Sequence, residues 1–173
     1  MILLTFLSFL VVAIYTTIIT VSFEECPRSI SEACYRYTNT KMFAGLMGAA
    51  AALLVPPALE ASTEVSQFLV FLGFIATGII SIAPKHIKSE NMESVIHQNV
   101  STLLFYVAQT WVALNMPWFL IAWIGYAVYI LVKYRKTNPR LDMYDRLESA
   151  KPVLWAEAIT ILQVYTTVLI GLL

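Results

Sequence analysis

Long apolar runs and short polar stretches alternate along the whole chain, and the alternation gives six apolar segments. Residues 1–22, 42–59, 66–84, 99–115, 117–133 and 152–173 each match the ~17–25 residues that a helix needs to cross a bilayer. They are too long and too apolar for barrel strands, and in hydrocarbon the backbone can bond only to itself, so each is expected as a helix. The expected fold is all-α: a polytopic membrane bundle of six transmembrane helices in one domain. No internal repeat of fixed period and no low-complexity tract interrupts it. The turn at 115–117 is so short that the fourth and fifth helices must be antiparallel neighbours.

Local signals refine the segments. Gly48 and Ala52 share a face of the second helix, beside Gly45 and Ala49, and are expected to let another helix approach closely; Gly73 and Gly78 do the same less strictly in the third. Pro56 and Pro57 are expected to stop or kink the second helix before the acidic turn. Pro139 is expected to open a short surface helix in which Leu141, Tyr144 and Leu147 recur three apart among charges. Ser89 or Asn91 can cap, with Glu93 in the first turn, a two-turn extension of the fourth helix running back to 89. Trp111 and Trp118 at one interface, and Trp155 and Tyr134 at the other, read as interfacial anchors.

Charge orients the bundle. Every one of the eleven Lys and Arg residues lies in, or bounds, the first, third or fifth connection, whereas the turns at 60–65 and 115–117 carry none. Positive residues stay on the cytoplasmic side, so both termini are expected to be extracytoplasmic. Apolar residues make up 59% and charged residues 13% of the 173, against about a quarter charged in soluble domains; mean hydropathy is +0.74. The expected location is therefore the cell membrane, multi-pass, and the bacterial inner membrane if the chain is bacterial. The lipid bilayer is the expected partner, with no nucleic acid and the oligomeric state left open. The first segment lacks a basic start and a small-x-small site before Phe23, so it reads as a retained helix. Cys26 and Cys34 fall in a loop assigned to the reducing cytoplasm and are expected as free thiols.

The candidate chemistry gathers on that same side. Glu157 is the carboxylate placed clearly inside a span, roughly 7–8 Å past Pro152 at 1.5 Å per residue, with Thr160 one turn on. His86 ends the third helix; His97 precedes the apolar run of the fourth, with Ser101 on its face one turn deeper. The first connection offers Ser29, Ser31 and Arg36 within CPRSISEACYRY; Ser29 and Glu32 also form a capping-box pattern. Ser29, Ser31, Arg36, His86, His97, Ser101 and Glu157 are the candidate ligand-binding set, for a lipid headgroup or a small anionic ligand. No HxxxH, HExxH or CxxC spacing and no GxSxG elbow is present, so neither a catalytic residue nor a metal or other cofactor is named.

The succession SISEACY, a small-residue helix, Pro84 with a basic residue, and a histidine before the fourth helix resembles a family of small uncharacterised bacterial six-helix membrane proteins. Their first loop is of the Ser-Ile-Ser-x-x-Tyr type. Ser29, Ser31, Tyr35, Pro84 and His97 occupy the matching positions, with Tyr35 one residue late and Cys34 before it. The chain is also distantly similar to the ceramidase and adiponectin-receptor superfamily, which implies a metal-dependent lipid hydrolase. Those sites use three histidines and an aspartate, and this chain has two histidines and no aspartate within a span. Three functions follow as expectations: a binding pocket, a metal-dependent membrane lipid hydrolase, and an oligomeric channel or transporter for which the spans supply Gln109, Gln163 and Thr160.

Overall fold

The computed structural model describes residues 1–22, 27–30, 40–82 and 92–173, with residues 19, 20, 22, 40, 82, 93 and 94 described in backbone alone. Ser31, Arg36, His86, Cys26 and Cys34, and the caps Ser89 and Asn91, lie outside the described residues. Within them the chain is helical and holds no strand. The elements are α1 (Ile2–Ser22), α2 (Thr40–Glu60), a 3-10 turn (Glu64–Ser66), α3 (Gln67–Ile82), α4 (Met92–Asn115), a second 3-10 turn (Pro117–Ile121), α5 (Ala122–Lys136), α6 (Met143–Glu148) and α7 (Pro152–Gly171).

Four stretches are long and apolar enough to cross a membrane: Lys41–Glu60, Glu64–Ser81, Pro117–Lys136 and Met143–Gly171. Ile2–Ile18 is equally apolar but shorter over its described side chains. The longest helix, α4 with 24 residues, is not among those four, and Gln98, Asn99, Ser101, Thr102, Gln109 and Thr110 are spread along it. It begins at Met92, so the extension anticipated ahead of Asn99 is present.

Helices α1, α2, α3 and α4 pack in chain order, and α7 returns to sit between α4 and α1, closing a ring of five. Helix α5 stands outside the ring and buries no residue. It leans on its neighbours through aromatic groups: Trp123 meets the Phe105 ring edge-on at 5.3 Å, and Tyr129 meets Trp155 at 5.7 Å. Antiparallel α4 and α5 thus stay linked by a side chain at one end rather than by continuous backbone packing.

The ring has two unlike ends. At the turn end, Asn115 accepts the Thr63 N–H (3.1 Å) and donates to the Trp111 carbonyl (2.8 Å), while the Trp111 indole donates to Ser62 Oγ (2.7 Å). Trp111 is 4% exposed, so it is a core residue rather than the interfacial anchor expected of it; Trp118, 62% exposed, fits that role. A cluster of Ala58, Trp111, Val112 and Val168 fills this end. Gly171 approaches so closely that a Cβ there would lie 2.8 Å from Ala61 Cβ and 3.1 Å from its carbonyl.

At the basic end, Tyr15, Phe43 and Ile80 form the second cluster, with Ile30 packed against it. The described cations Arg28, Lys41, Lys133, Arg135, Lys136, Arg140, Arg146 and Lys151 are all at this end. Arg28 pairs with Glu148, and the Arg146 guanidinium lies 3.9 Å from the Tyr134 ring centroid and donates to the Tyr134 carbonyl (2.9 Å). Lys151 takes a left-handed backbone (φ 49°) to turn the chain from α6 into α7, which Pro152 opens at its first position.

Three local expectations are corrected. α2 continues through Pro56 and Pro57 to Glu60, so of the stop or kink expected there the stop does not occur. The short surface helix starts at Met143 rather than Pro139, because Asp142 caps it by accepting the Asp145 N–H at 2.7 Å. Gly48 meets no helix: nothing lies within 4 Å of a Cβ built there, and the close approach is made by Gly171 instead.

Candidate functional site

The small residues of α2 leave room rather than drawing a neighbour in. Ala50, Ala51 and Ala58 face the inside of the ring, and the space they do not fill is a cavity of about 330 Å³. That volume lies within the ~300–1,000 Å³ of ligand pockets. Its wall on α2 extends from Phe43 to Ala58, about 22 Å at the helical rise, and on α4 from Ser101 to Trp111, about 15 Å. The cavity is thus a long slot parallel to the helices, between the two packed clusters. Phe74 of α3 borders it and is itself 42% exposed.

Most of the wall is hydrocarbon: Val12, Met47, Leu54, Leu69, Val107, Ile161 and their neighbours. The polar groups are few, and Glu157, Ser81 and Ser101 are part of the same wall as Ile30. Glu157 accepts the Ile30 backbone N–H at 2.5 Å, which fixes the residues after α1 over the start of α7. Tyr15 adds a second tie by donating to the Ile30 carbonyl at 3.4 Å. The carboxylate is therefore part of a mostly apolar wall and accepts a main-chain donor.

Of the candidate residues, Glu157 and Ser101 line this slot together. Ser29 is half-buried beside Ile30, whose backbone is already helical, the position the capping pattern assigns to it. His97 is buried (2% exposed) one turn before Ser101 but is not part of the cavity wall. Ser31, Arg36 and His86 fall outside the described residues. Among the described residues no three of His, Cys, Asp and Glu come together in a way that could hold a metal.

The mid-span polar groups considered as a conduction path bond one another instead. Gln109 Nε2 donates to Thr160 Oγ1 (3.2 Å) and to Gln163 Oε1 (3.0 Å), and its Oε1 accepts the Trp123 indole N–H (2.7 Å). Gln163 Nε2 donates to the Phe119 carbonyl at 2.6 Å. Both amide groups are bonded across helices, so the network joins α4, α5 and α7 as interhelical glue.

A further set on α1 escaped the sequence reading. Ser8 is fully buried; it donates to the Ala50 carbonyl (2.7 Å) and shares a 2.5 Å bond with Tyr165, tying α1 and α2 to α7. The signal was available: Thr5, Ser8, Val12 and Tyr15 recur at helical spacing on one face of a segment that otherwise reads as uniformly apolar. No family model matches this chain, and no curated protein or solved structure is similar to it.

Proposed function

We propose that the chain is a six-span protein of the cell membrane that holds the hydrocarbon tail of an amphiphilic lipid within its helical ring. The basic end faces the cytoplasm and both termini lie outside. The observation carrying this reading is the slot itself: an apolar lumen of about 330 Å³ running along the ring, with one carboxylate and few other polar groups in its wall. Apolar cavities exclude water and accept apolar guests, and here the surroundings supply hydrocarbon chains.

Orientation rests on the charge count, eleven basic residues on one side against none on the other. Six crossings rest on α1 and α4 joining the four stretches already long and apolar enough: α1 has 21 residues, about 31 Å, and α4 spends its mid-span amide Gln109 on α5 and α7. The test is native mass spectrometry of the protein released from mild detergent. The parent should carry one bound amphiphile. Ala51→Phe, which places a ring in the lumen, should lose it while its melting temperature stays within a few degrees. Equal adducts on both proteins would put the lipid elsewhere and sink the reading.

A further inference from the structure

We propose, on the basis of that lipid-holding reading, that the slot is a ruler: it takes a single unbranched chain of about eleven or twelve carbons, and Trp111 is the stop that sets the length. The walls bracket the length. By helical rise they run about 12 Å on α7, from Glu157 to Tyr165, about 15 Å on α4 and about 22 Å on α2. An extended carbon chain advances about 1.2 Å per bond, as an extended backbone does, so these walls match about 10 to 18 bonds. Volume chooses within that range. A methylene takes up roughly 30 Å³, the share of one water molecule in its liquid, so a slot of 330 Å³ holds about eleven. In single file those carbons reach about 13 Å, between the α7 and α4 walls. Two chains side by side would have about five or six carbons each and would fall short of even the α7 wall. One medium-length chain satisfies length and volume together.

Trp111 is a firm stop because it belongs both to the wall of the slot and to the packed cluster at the turn end. Its indole donates to Ser62 Oγ (2.7 Å), its carbonyl accepts from Asn115 (2.8 Å), and the residue is 4% exposed. Swinging the ring aside would break the Ser62 bond and uncover Val112 and Val168, both fully buried in the same cluster. Ala58 is likewise shared between wall and cluster, and its small side chain leaves the last part of the slot open. In a membrane, apolar transfer gives no reason to prefer a longer chain, because lipid tails are as apolar as the wall. Fit is what remains. A shorter chain leaves wall atoms without contacts, and a longer one forces side chains of the packed end off their rotamers.

The test is a competition among saturated monoacylglycerols, from octanoyl to octadecanoyl, added in equal amounts to delipidated protein in tetraethylene glycol octyl ether. Native mass spectrometry resolves each adduct by its mass, and the shared neutral head leaves chain length as the sole variable. The parent should show a maximum at lauroyl, with the palmitoyl adduct about tenfold weaker. Trp111→Ala should move the maximum to myristoyl or palmitoyl, and Ala58→Leu should move it to decanoyl or octanoyl. The profile of the parent decides the matter even where these variants do not fold. A flat profile, a steady rise with length or a maximum at palmitoyl or beyond would overturn the ruler and leave the slot reading intact. An unmoved maximum in folded Trp111→Ala protein would overturn the assignment of Trp111 as the stop. No adduct at any length, or adducts that survive Ala51→Phe at every length, would overturn both the ruler and the slot.

Discussion

Gln109→Leu is the substitution whose cost the structure defines most closely. It removes three bonds at once: those from Gln109 to Thr160 (3.2 Å) and Gln163 (3.0 Å), and that from Trp123 (2.7 Å). Interhelical bonds within membranes average about 0.6 kcal/mol each, so the direct loss is about 2 kcal/mol. The Trp123 indole N–H is also left without its acceptor, which adds about 1–2 kcal/mol. The expected destabilisation is therefore about 3–4 kcal/mol. Equilibrium unfolding in mixed sodium dodecyl sulfate and mild-detergent micelles, followed by helical circular dichroism, measures it directly. Thr110→Val, on an exposed position of the same helix, supplies the control and should shift stability by less than about 0.5 kcal/mol. The pair Gln109→Leu with Gln163→Leu should be sub-additive by about 0.5–1.5 kcal/mol, because both lose the same bond. A loss below about 0.5 kcal/mol, or strict additivity, would refute the claim that this network holds α7 in the ring.

Two further predictions address the ends of the bundle. Gly171→Leu should lower stability by about 1–3 kcal/mol in the same assay, since a Cβ there meets Ala61 backbone atoms at 3.1 and 3.3 Å that cannot swing aside; parental stability would show that the end of α7 is not seated on Ala61. For orientation, an impermeant maleimide should leave Cys26 and Cys34 unlabelled in intact cells and should label Glu64→Cys, exposed in the turn before α3; labelling of the native cysteines from outside would reverse the topology.

How much of this was legible in the sequence depends on what kind of signal each feature leaves. The apolar runs marked all the described long helices, because in hydrocarbon the backbone must be satisfied internally and length alone then selects the helix. The depth of Glu157 followed from the same count, and the structure places it in the cavity wall with Ser101. Partner choice was not legible. Trp111 sits at an apolar segment's edge, as an anchor would, yet its indole reaches Ser62 across the next turn and the ring is buried. Gln109 and Gln163 lie 54 positions apart, and no local pattern announces that they satisfy each other rather than a passing solute. The first loop illustrates the opposite limit: Ser29 and Glu157 were both singled out, but the bond that matters runs from the Ile30 main chain, whose N–H carries no residue signature.

The alanines of α2 are the deepest case, because one composition serves two opposite ends. Small side chains let helices touch when the helices are free to move together, and leave a hollow when something else sets their distance. Here the distance is set at three levels: the Thr63–Asn115–Trp111 network and the Gly171–Ala61 contact at the turn end, the Ser8–Tyr165 bond in the middle, and the Tyr15–Phe43–Ile80 cluster at the basic end. With α1, α2, α4 and α7 spaced by those ties, Ala50, Ala51 and Ala58 cannot close the gap between them. The slot they leave is about 330 Å³, and its wall is mostly hydrocarbon. The same ties that prevent collapse keep the slot open, which is what holding an apolar chain requires.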